Sequence, residues 1–440
     1  MKKYENYKDS GLEWLGIVPE HWEIIKVKYI CNVTDGTHFS PATISEGKPY
    51  ITVSNVKDDF IDIESAGRIS IADFNELVKQ GCQPKTGDVL LAKDGTVGRT
   101  AIVKDNDYVV LSSLGMLSPN DNLTSSYLKY MLDSSILQEQ MNEAMAGSAL
   151  RRITITKIKG FIALLPPTSE QRTIASYLDQ KVGKIDTLIS EKEKMVEDLK
   201  AYRSSLITET VTKGLDKGVE MKDSGVEWIK KIPATWTTVL LKRCATIMTG
   251  GTPSTDIDRY WANPTFRWYT PSDFSDDDVV LNDSSRKLDE TAIKEYAAKL
   301  FPKNSVLVVG IGATLGKVGI SLNECSSNQQ INAIIFNSTV LPEYGAYYLL
   351  AGKEYIKSQS NAATLPILNQ STMGELQIVV PNIEEQKNIV GFINKKVSVI
   401  KEGIENLQIQ ISDLKSYKSS LITEAVTGKI DLRDWQTKKS

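Results

Sequence analysis

The side chains in this 440-residue chain that admit chemistry are two histidines, four cysteines and a few glycine and proline turns, and their spacing argues against most of it. His21 stands beside Trp22, which suits a structural role. His38 closes the turn Asp35-Gly36-Thr37-His38. Two imidazoles in such a length leave little for general acid-base or metal work. Cys31, Cys82, Cys244 and Cys325 lie far apart with no CxxC or His-Cys spacing, so neither a zinc site nor a disulfide framework is indicated. The run Gly310-Ile311-Gly312-Ala313-Thr314-Leu315-Gly316-Lys317 is neither GxGxxG nor GxxxxGK[ST]. Val318 follows it and lacks the hydroxyl that would hold magnesium, so the run reads as a tight turn between buried strands. Pro166-Pro167 follows Leu165 and precedes Thr168, so it is not the Asn/Asp-Pro-Pro-aromatic motif with which adenine methyltransferases hold a flipped base. What remains is binding chemistry.

The elements that position these residues follow from a duplication. A shift of 214 residues lays Lys8-Asp9-Ser10-Gly11-Leu12-Glu13-Trp14 over Lys222-Asp223-Ser224-Gly225-Val226-Glu227-Trp228, with Pro19 over Pro233 and Trp22 over Trp236. A shift of 215 lays Leu199 to Thr212 over Leu414 to Thr427 with 11 of 14 positions identical. Each copy is far longer than a solenoid repeat, so this is a duplicated module. The ends of the copies match while the middles diverge, leaving weak anchors: Asp35 to His38 over Thr249 to Thr252, Tyr50 to Asn55 over Trp268 to Asp273, and Val97-Gly98-Arg99 over Leu315-Gly316-Lys317.

The middles, 22–165 and 236–380, read as mixed α/β with many short strands. Val89 to Ala92 and Val306 to Val309 have the apolar runs of buried strands, and Ser125 to Met145 and Glu343 to Lys357 have helical spacing. The ends read as long helices. Ile174, Leu178, Ile185, Leu188, Met195, Leu199, Tyr202 and Leu206 form a heptad-like stripe, which Ile389, Ile393, Val397, Ile400, Ile404, Leu407, Ile411, Leu414, Tyr417 and Leu421 repeat. Neither stripe can be buried alone, so the two helices are expected to pair over roughly 60 Å. The fold class is α+β: two α/β domains, a two-helix antiparallel coiled coil between them, and pseudo-twofold symmetry from the duplication. Its parts are an entry segment 1–21, a first domain 22–165, helix 166–215, a linker with repeated entry segment 216–235, a second domain 236–380, helix 381–430 and a tail 431–440.

Composition narrows the partners. With 41% hydrophobic and 24% charged residues the chain is an ordinary globular protein, and its net charge of −3 excludes a binder held to nucleic acid by bulk basicity. The start of the sequence is polar and no apolar stretch is long enough to span a bilayer, so a cytoplasmic protein without a membrane partner is expected. Two related but unlike domains on a stiff spacer suit two unlike points at a set distance. Duplex DNA offers such points, since one B-form turn is roughly 34–36 Å.

The chain resembles the specificity subunit of type I restriction-modification systems over essentially its whole length. The resemblance rests on Asp9-Ser10-Gly11-Leu12-Glu13-Trp14 with Pro19 and Trp22, on Lys85-Thr86-Gly87-Asp88-Val89-Leu90 with Gly95-Thr96-Val97-Gly98-Arg99, and on Leu165-Pro166-Pro167 with Glu170-Gln171, echoed by Val380-Pro381-Asn382 with Glu385-Gln386. It implies that each middle is a target recognition domain for one half of an asymmetric bipartite sequence in double-stranded DNA. The helices would set the spacing and dock two modification subunits, which carry S-adenosylmethionine and methylate adenine at N6. Restriction subunits would join through them with ATP and magnesium, and this chain would hold no catalytic centre, cofactor or metal. The second copy departs from the pattern, with Pro302-Lys303-Asn304 where the first has Gly87-Asp88, and Gly310-Ile311-Gly312 where the first has Ala92-Lys93-Asp94.

The DNA candidates come from the polar turns. Thr37, His38, Lys93, Thr96 and Thr252 lie in them; His38 serves either DNA contact or turn packing. Arg99 and Lys317 end the glycine turns, and Arg151-Arg152 precede the first helix, where phosphate contacts would position the protein without specifying sequence. Asn55, Arg286, Gln329 and Asn369 have the forked or amide side chains that base readout uses. On the helices, Tyr202, Arg203 and Glu209, repeated as Tyr417, Lys418 and Glu424, keep their polar character where a bare spacer would not need it, so they are the partner-binding candidates. The rival reading is a coiled-coil adaptor whose two domains bind proteins.

Overall fold

The computed structural model describes residues 2–57, 59–146, 151–275, 278–360 and 366–435. The chain divides into two compact units, one made of 1–193 and 409–440, the other of 194–408. Both divisions fall inside the long helices Thr168–Lys213 and Ile383–Val426, so each unit holds one α/β domain and half of each helix.

In the first unit the core sheet has the order Cys31–Asp35, Leu114–Pro119, Val89–Ala92, Thr100–Ile102, all antiparallel. Val89–Ala92 is buried on both faces, as its unbroken apolar run requires. A three-stranded sheet centres on Lys48–Ile51, flanked by Gly67–Ile69 and Val109–Val110. The second unit repeats this plan. Its five-stranded sheet runs Ala245–Thr249, Ile331–Phe336, Ser305–Val309, Val318–Ser321, Val280–Leu281, and its three-stranded sheet centres on Phe266–Tyr269 between Arg286–Leu288 and Cys325–Ser327. The two expected long helices of the middles are each broken in two, at Ser134 between Ser125–Asp133 and Ser135–Met145, and at Gly352 between Pro342–Ala351 and Lys353–Ser358.

The repeated motifs turn out to be joinery. In each unit the entering strand pairs with the strand that leads into the long helix: Glu23–Lys26 with Ile162–Leu165, and Thr237–Leu240 with Gln377–Val380. The Gln of each Glu-Gln pair is fully buried at the first helical turn. Gln171 donates to the carbonyls of Asn122 (2.7 Å) and Pro166 (2.9 Å) and accepts from the Thr124 amide at 2.8 Å. Gln386 repeats this with Thr339, Pro381 and Leu341. Gln171→Leu leaves the buried Pro166 carbonyl and the part-buried Thr124 amide without their partner, and we expect it to cost about 1–3 kcal/mol, read as a lower urea midpoint. An unchanged midpoint would refute the lock.

A second joint holds the far end of the other helix. Tyr127, fully buried, donates to the carbonyls of Leu164 (3.1 Å) and Val426 (3.3 Å); Tyr344 does the same to Val379 (2.9 Å) and Val211 (3.2 Å). Burial pushes both phenols well above their ordinary pKa, so they stay donors. Gly428, at φ +70, ends the second helix so close to Pro19 that a Cβ would sit 2.2 Å from its ring, with Trp22 behind. His21 serves this joint too: its Nε2 lies 2.6 Å from Glu170, which also accepts from Trp22 and Tyr4. All four cysteines are buried free thiols, and burial raises Cys31 to about 12 and Cys244 and Cys325 to about 11. The native protein should therefore show no fast-reacting thiol toward a disulfide reagent at pH 8, and four equivalents after denaturation.

The helix halves run antiparallel within each unit. In the first, Lys192 bonds Gln410, Glu193 meets Lys415, and Lys418 grips Asp186 with contacts of 2.7 and 2.8 Å. The buried seam of the first helix passes through Leu178, Val182, Ile185, Ile189 and Val196 to Leu206. Leu188, Met195 and Tyr202, expected in the stripe, are 45%, 51% and 55% exposed instead. The seam takes the neighbouring 3-4 register, which also has an apolar residue at nearly every step. On the second helix the expected stripe holds through Ile411, and Tyr417 alone faces outward at 53% exposure. No described helix is long and apolar enough to cross a membrane.

Candidate nucleic-acid interface

In the first unit three loops meet at one end of the core sheet, because Asp35 and Ala92 end their strands on either side of the Leu114–Gly115 step. Gly36 allows the first loop to turn: a Cβ there would lie 1.9 Å from the Val110 carbonyl oxygen. Thr37 is buried and its hydroxyl bonds the Phe39 backbone, so it shapes the loop while His38 and Phe39 project outward. Asp35 stands between His38 and Lys93, its carboxylate 3.5 Å from both His38 Nε2 and Lys93 Nζ. The loop after Lys93 is tied to the third loop by an Asp94–Arg152 ion pair of 3.1 Å and by the Gly95 amide donating to the Arg151 carbonyl. Gln138 donates to the Gly98 carbonyl and holds the turn that exposes Thr96 and Arg99. Thus His38, Thr96, Arg99, Arg151 and Arg152 share one polar surface.

Three expected contacts are buried instead: Thr37, which shapes its own loop, and Lys93 and Asn55. Lys93 is 2% exposed; its aliphatic stem fills the core beneath the loops and its ammonium faces Asp35. Asn55 is 4% exposed, accepts from the Thr52 amide at 3.0 Å and donates toward Asp62 and Ser65, so its amide closes its own turn. Lys93 and Asn55 both position the surface from beneath.

The second unit places the same loops at the same sheet end and fills them differently. Thr252 donates to Gln329 across two loops. The Gly310 turn is strapped by the Leu368 amide and an Ile311–Ile367 bridge, the counterpart of Asp94–Arg152. Asn369 is exposed but caps the helix Gln370–Glu375 by accepting from the Thr372 amide at 2.9 Å. Lys317 is half-buried and donates to the Phe274 carbonyl at 3.0 Å. Both spend part of their bonding capacity on structure.

Arg286 is the exception. Its guanidinium lies 4.2 Å from the Trp261 ring centroid and 5.1 Å from that of Trp268, and the two indoles meet edge to face at 5.5 Å. Each indole N–H is tied down, Trp261 to the Ser254 carbonyl and Trp268 to that of Gly251 in the Thr252 loop. A stacked guanidinium loses little further freedom on binding and keeps its in-plane donors available. In the first unit the matching register position, opposite Tyr50, is Gly67. Neither tryptophan was among the sequence candidates; only the strand pairing of Trp268 with Arg286 brings them into view.

On the helices, Tyr202, Glu209, Tyr417 and Glu424 face outward as a partner surface requires. Arg203 does not: it is 9% exposed and lines a small pocket with Asp278 and Tyr347. Its counterpart Lys418 is turned to Asp186. Among the described residues no group of three His, Cys, Asp or Glu side chains is placed to hold a metal ion.

Comparison with known proteins agrees with this duplicated arrangement. The MjaIX type I restriction enzyme specificity subunit of Methanocaldococcus jannaschii is 36% identical over 165 residues, which is 37% of this chain and 38% of that protein. The MjaX specificity subunit of the same organism is 23% identical over 459 aligned positions, 98% of each chain. A chain from a solved structure concerned with complex assembly and conformational transition of the type I R-M system superposes with a TM-score of 0.71 at 15% identity, over 94% of this chain and 99% of that one, a likeness of fold. The family profile described as the type I restriction modification DNA specificity domain matches twice, at residues 19–198 and 233–412, once for each copy of the repeat. With both copies matched and most of its length covered, the chain belongs to the type I restriction-modification DNA specificity family.

Proposed function

We propose that this chain is the DNA-reading subunit of a type I restriction-modification complex, each domain contacting one half of an asymmetric bipartite duplex target. The observation that carries this reading is the repeated loop cluster at the same sheet end with different side chains: His38, Arg99 and Arg152 in one unit, Thr252, Gln329 and Arg286 in the other. One scaffold with two surfaces is what two unlike half-sites need. The long helices set the interval between half-sites, and their outward faces around Tyr202, Glu209, Tyr417 and Glu424 dock two modification subunits. On this reading S-adenosylmethionine and N6-adenine methylation belong to those subunits, ATP and magnesium belong to the restriction subunits that join through them, and the specificity chain itself reads without catalysing.

The test is a gel shift with the modification subunit present, at two salt concentrations, on target and scrambled duplexes. We expect a preference for one bipartite sequence and affinity that falls steeply with salt, since each phosphate contact releases counterions. An adaptor that binds proteins through its two domains gives neither, and that outcome would replace the present reading.

A further inference from the structure

The duplication makes a matched pair of aromatic patches where the long helices meet, and among the described residues their covering differs. In the first unit Tyr177 lies beside Tyr417 and Glu424, with the Lys181 ammonium 5.9 Å from its ring. In the second unit Phe392 takes the place of Tyr177, Lys396 stands 5.8 Å from its ring, and Tyr202 and Glu209 repeat Tyr417 and Glu424. Over Tyr177 sits Trp435, edge to face at 5.6 Å and 86°. The segment carrying it is anchored: the Asp431 amide donates to the Lys2 carbonyl, Arg433 grips Asp431 and lies over the Tyr4 ring, and Asp434 meets Lys2. Tyr177 is accordingly 6% exposed. Among the described residues no aromatic side chain is recorded over Phe392 in the same way. After the first helix the chain runs through Gly214-Leu215-Asp216-Lys217 without an aromatic residue and leaves a cavity of about 570 Å³ that Phe392, Tyr202 and Met221 help to line.

We infer that the Phe392 groove is a docking site for an aromatic side chain on a short segment of the modification subunit, and that Trp435 is a built-in competitor closing the equivalent site in the first unit. This rests on the function proposed above. The occupant's chemistry is read from the covered twin, where a tryptophan fills the patch and the flanking charges are mixed, Asp431, Arg433 and Asp434. The open groove offers a mixed rim to match, Glu209 and Asp216 with Lys213 and Lys217. The two partner sites are therefore unequal: one binds directly, the other only after Trp435 is displaced.

Titration of the full chain with modification subunit, followed by native mass spectrometry, resolves the two binding steps. We expect unequal steps in the unsubstituted protein. Phe392→Ala weakens the tighter step about tenfold, the scale of a lost aromatic contact with its buried area, and leaves the other step in place. Tyr202→Ala, at a more exposed position that does not threaten folding, moves the same step in the same direction. Trp435→Ala tightens the weaker step, so that the two converge. Two steps insensitive to all three substitutions overturn this inference and leave the proposed function standing, whereas no complex with the unsubstituted chain overturns both. Self-association of the chain that disappears in Trp435→Ala would assign the groove to a second copy and overturn the choice of occupant.

Discussion

Inserting one heptad into each long helix, between Glu193 and Lys194 and between Gln408 and Ile409, is expected to lengthen the unspecified gap in the methylated sequence while both half-sequences stay the same. The insertion points are the divisions between the two compact units, so no contact within either unit is cut. Seven residues make nearly two turns, which preserves the 3-4 seam through Ile185, Ile189 and Val196. They add about 10 Å, or roughly three base pairs at 3.4 Å each. Three pairs also rotate the duplex by about a third of a turn, so the longer target should be methylated more slowly. The effect on the original target is the largest expected anywhere in the molecule, since only one half-site can then be engaged at a time. Methylome sequencing of cells expressing the variant reports gap, half-sequences and modified base together; a gap of unchanged length would show that the helices are not the ruler.

The second large effect belongs to Arg286. Arg286→Ala is expected to relax one base pair of the second half-site by about 1–3 kcal/mol of discrimination, or roughly 5- to 150-fold, the effect of losing a guanidinium fork of the kind that reads guanine O6 and N7. Arg286→Lys should recover little, since an ammonium presents no fork and stacks poorly on Trp261. Trp261→Ala should act in the same direction but more weakly, freeing the guanidinium without removing it. The first half-site should be untouched, as its corresponding position is Gly67. Methylation assays on duplexes varied one pair at a time would show this, and an Arg286→Ala enzyme with the parental motif would sink the assignment.

Trp435 gives these experiments a practical side. If its segment closes one partner site, complexes assembled at limiting modification subunit will be partly loaded, and low methylation rates would then reflect stoichiometry and not reading. The binding steps should be measured before rates of the Arg286 and insertion variants are compared.

Much of this was legible in the sequence because the information is local or repeated. The two copies and the buried strands at Val89–Ala92 and Ser305–Val309 follow from apolar runs and two self-alignments. Even the Glu-Gln pairs were visible as motifs, though not as the buried locks that Gln171 and Gln386 prove to be. The helix stripe shows where local reading stops. The first helix carries apolar residues in two adjacent registers, and only packing against the second helix buries Val182, Ile189 and Val196 while leaving Leu188, Met195 and Tyr202 outside.

Two copies of one α/β module, each ending in a long helix and differing in its polar turns, can be read from the order of residues. Tertiary structure alone decided which of those turn residues can touch a ligand. It sent Thr37, Lys93 and Asn55 inward and set Arg286 against two tryptophans 18 and 25 positions away in the chain. The reason is physical: a strand's neighbours and a loop's depth depend on pairing register and on what the core leaves room for, and neither is encoded in the spacing of any single segment.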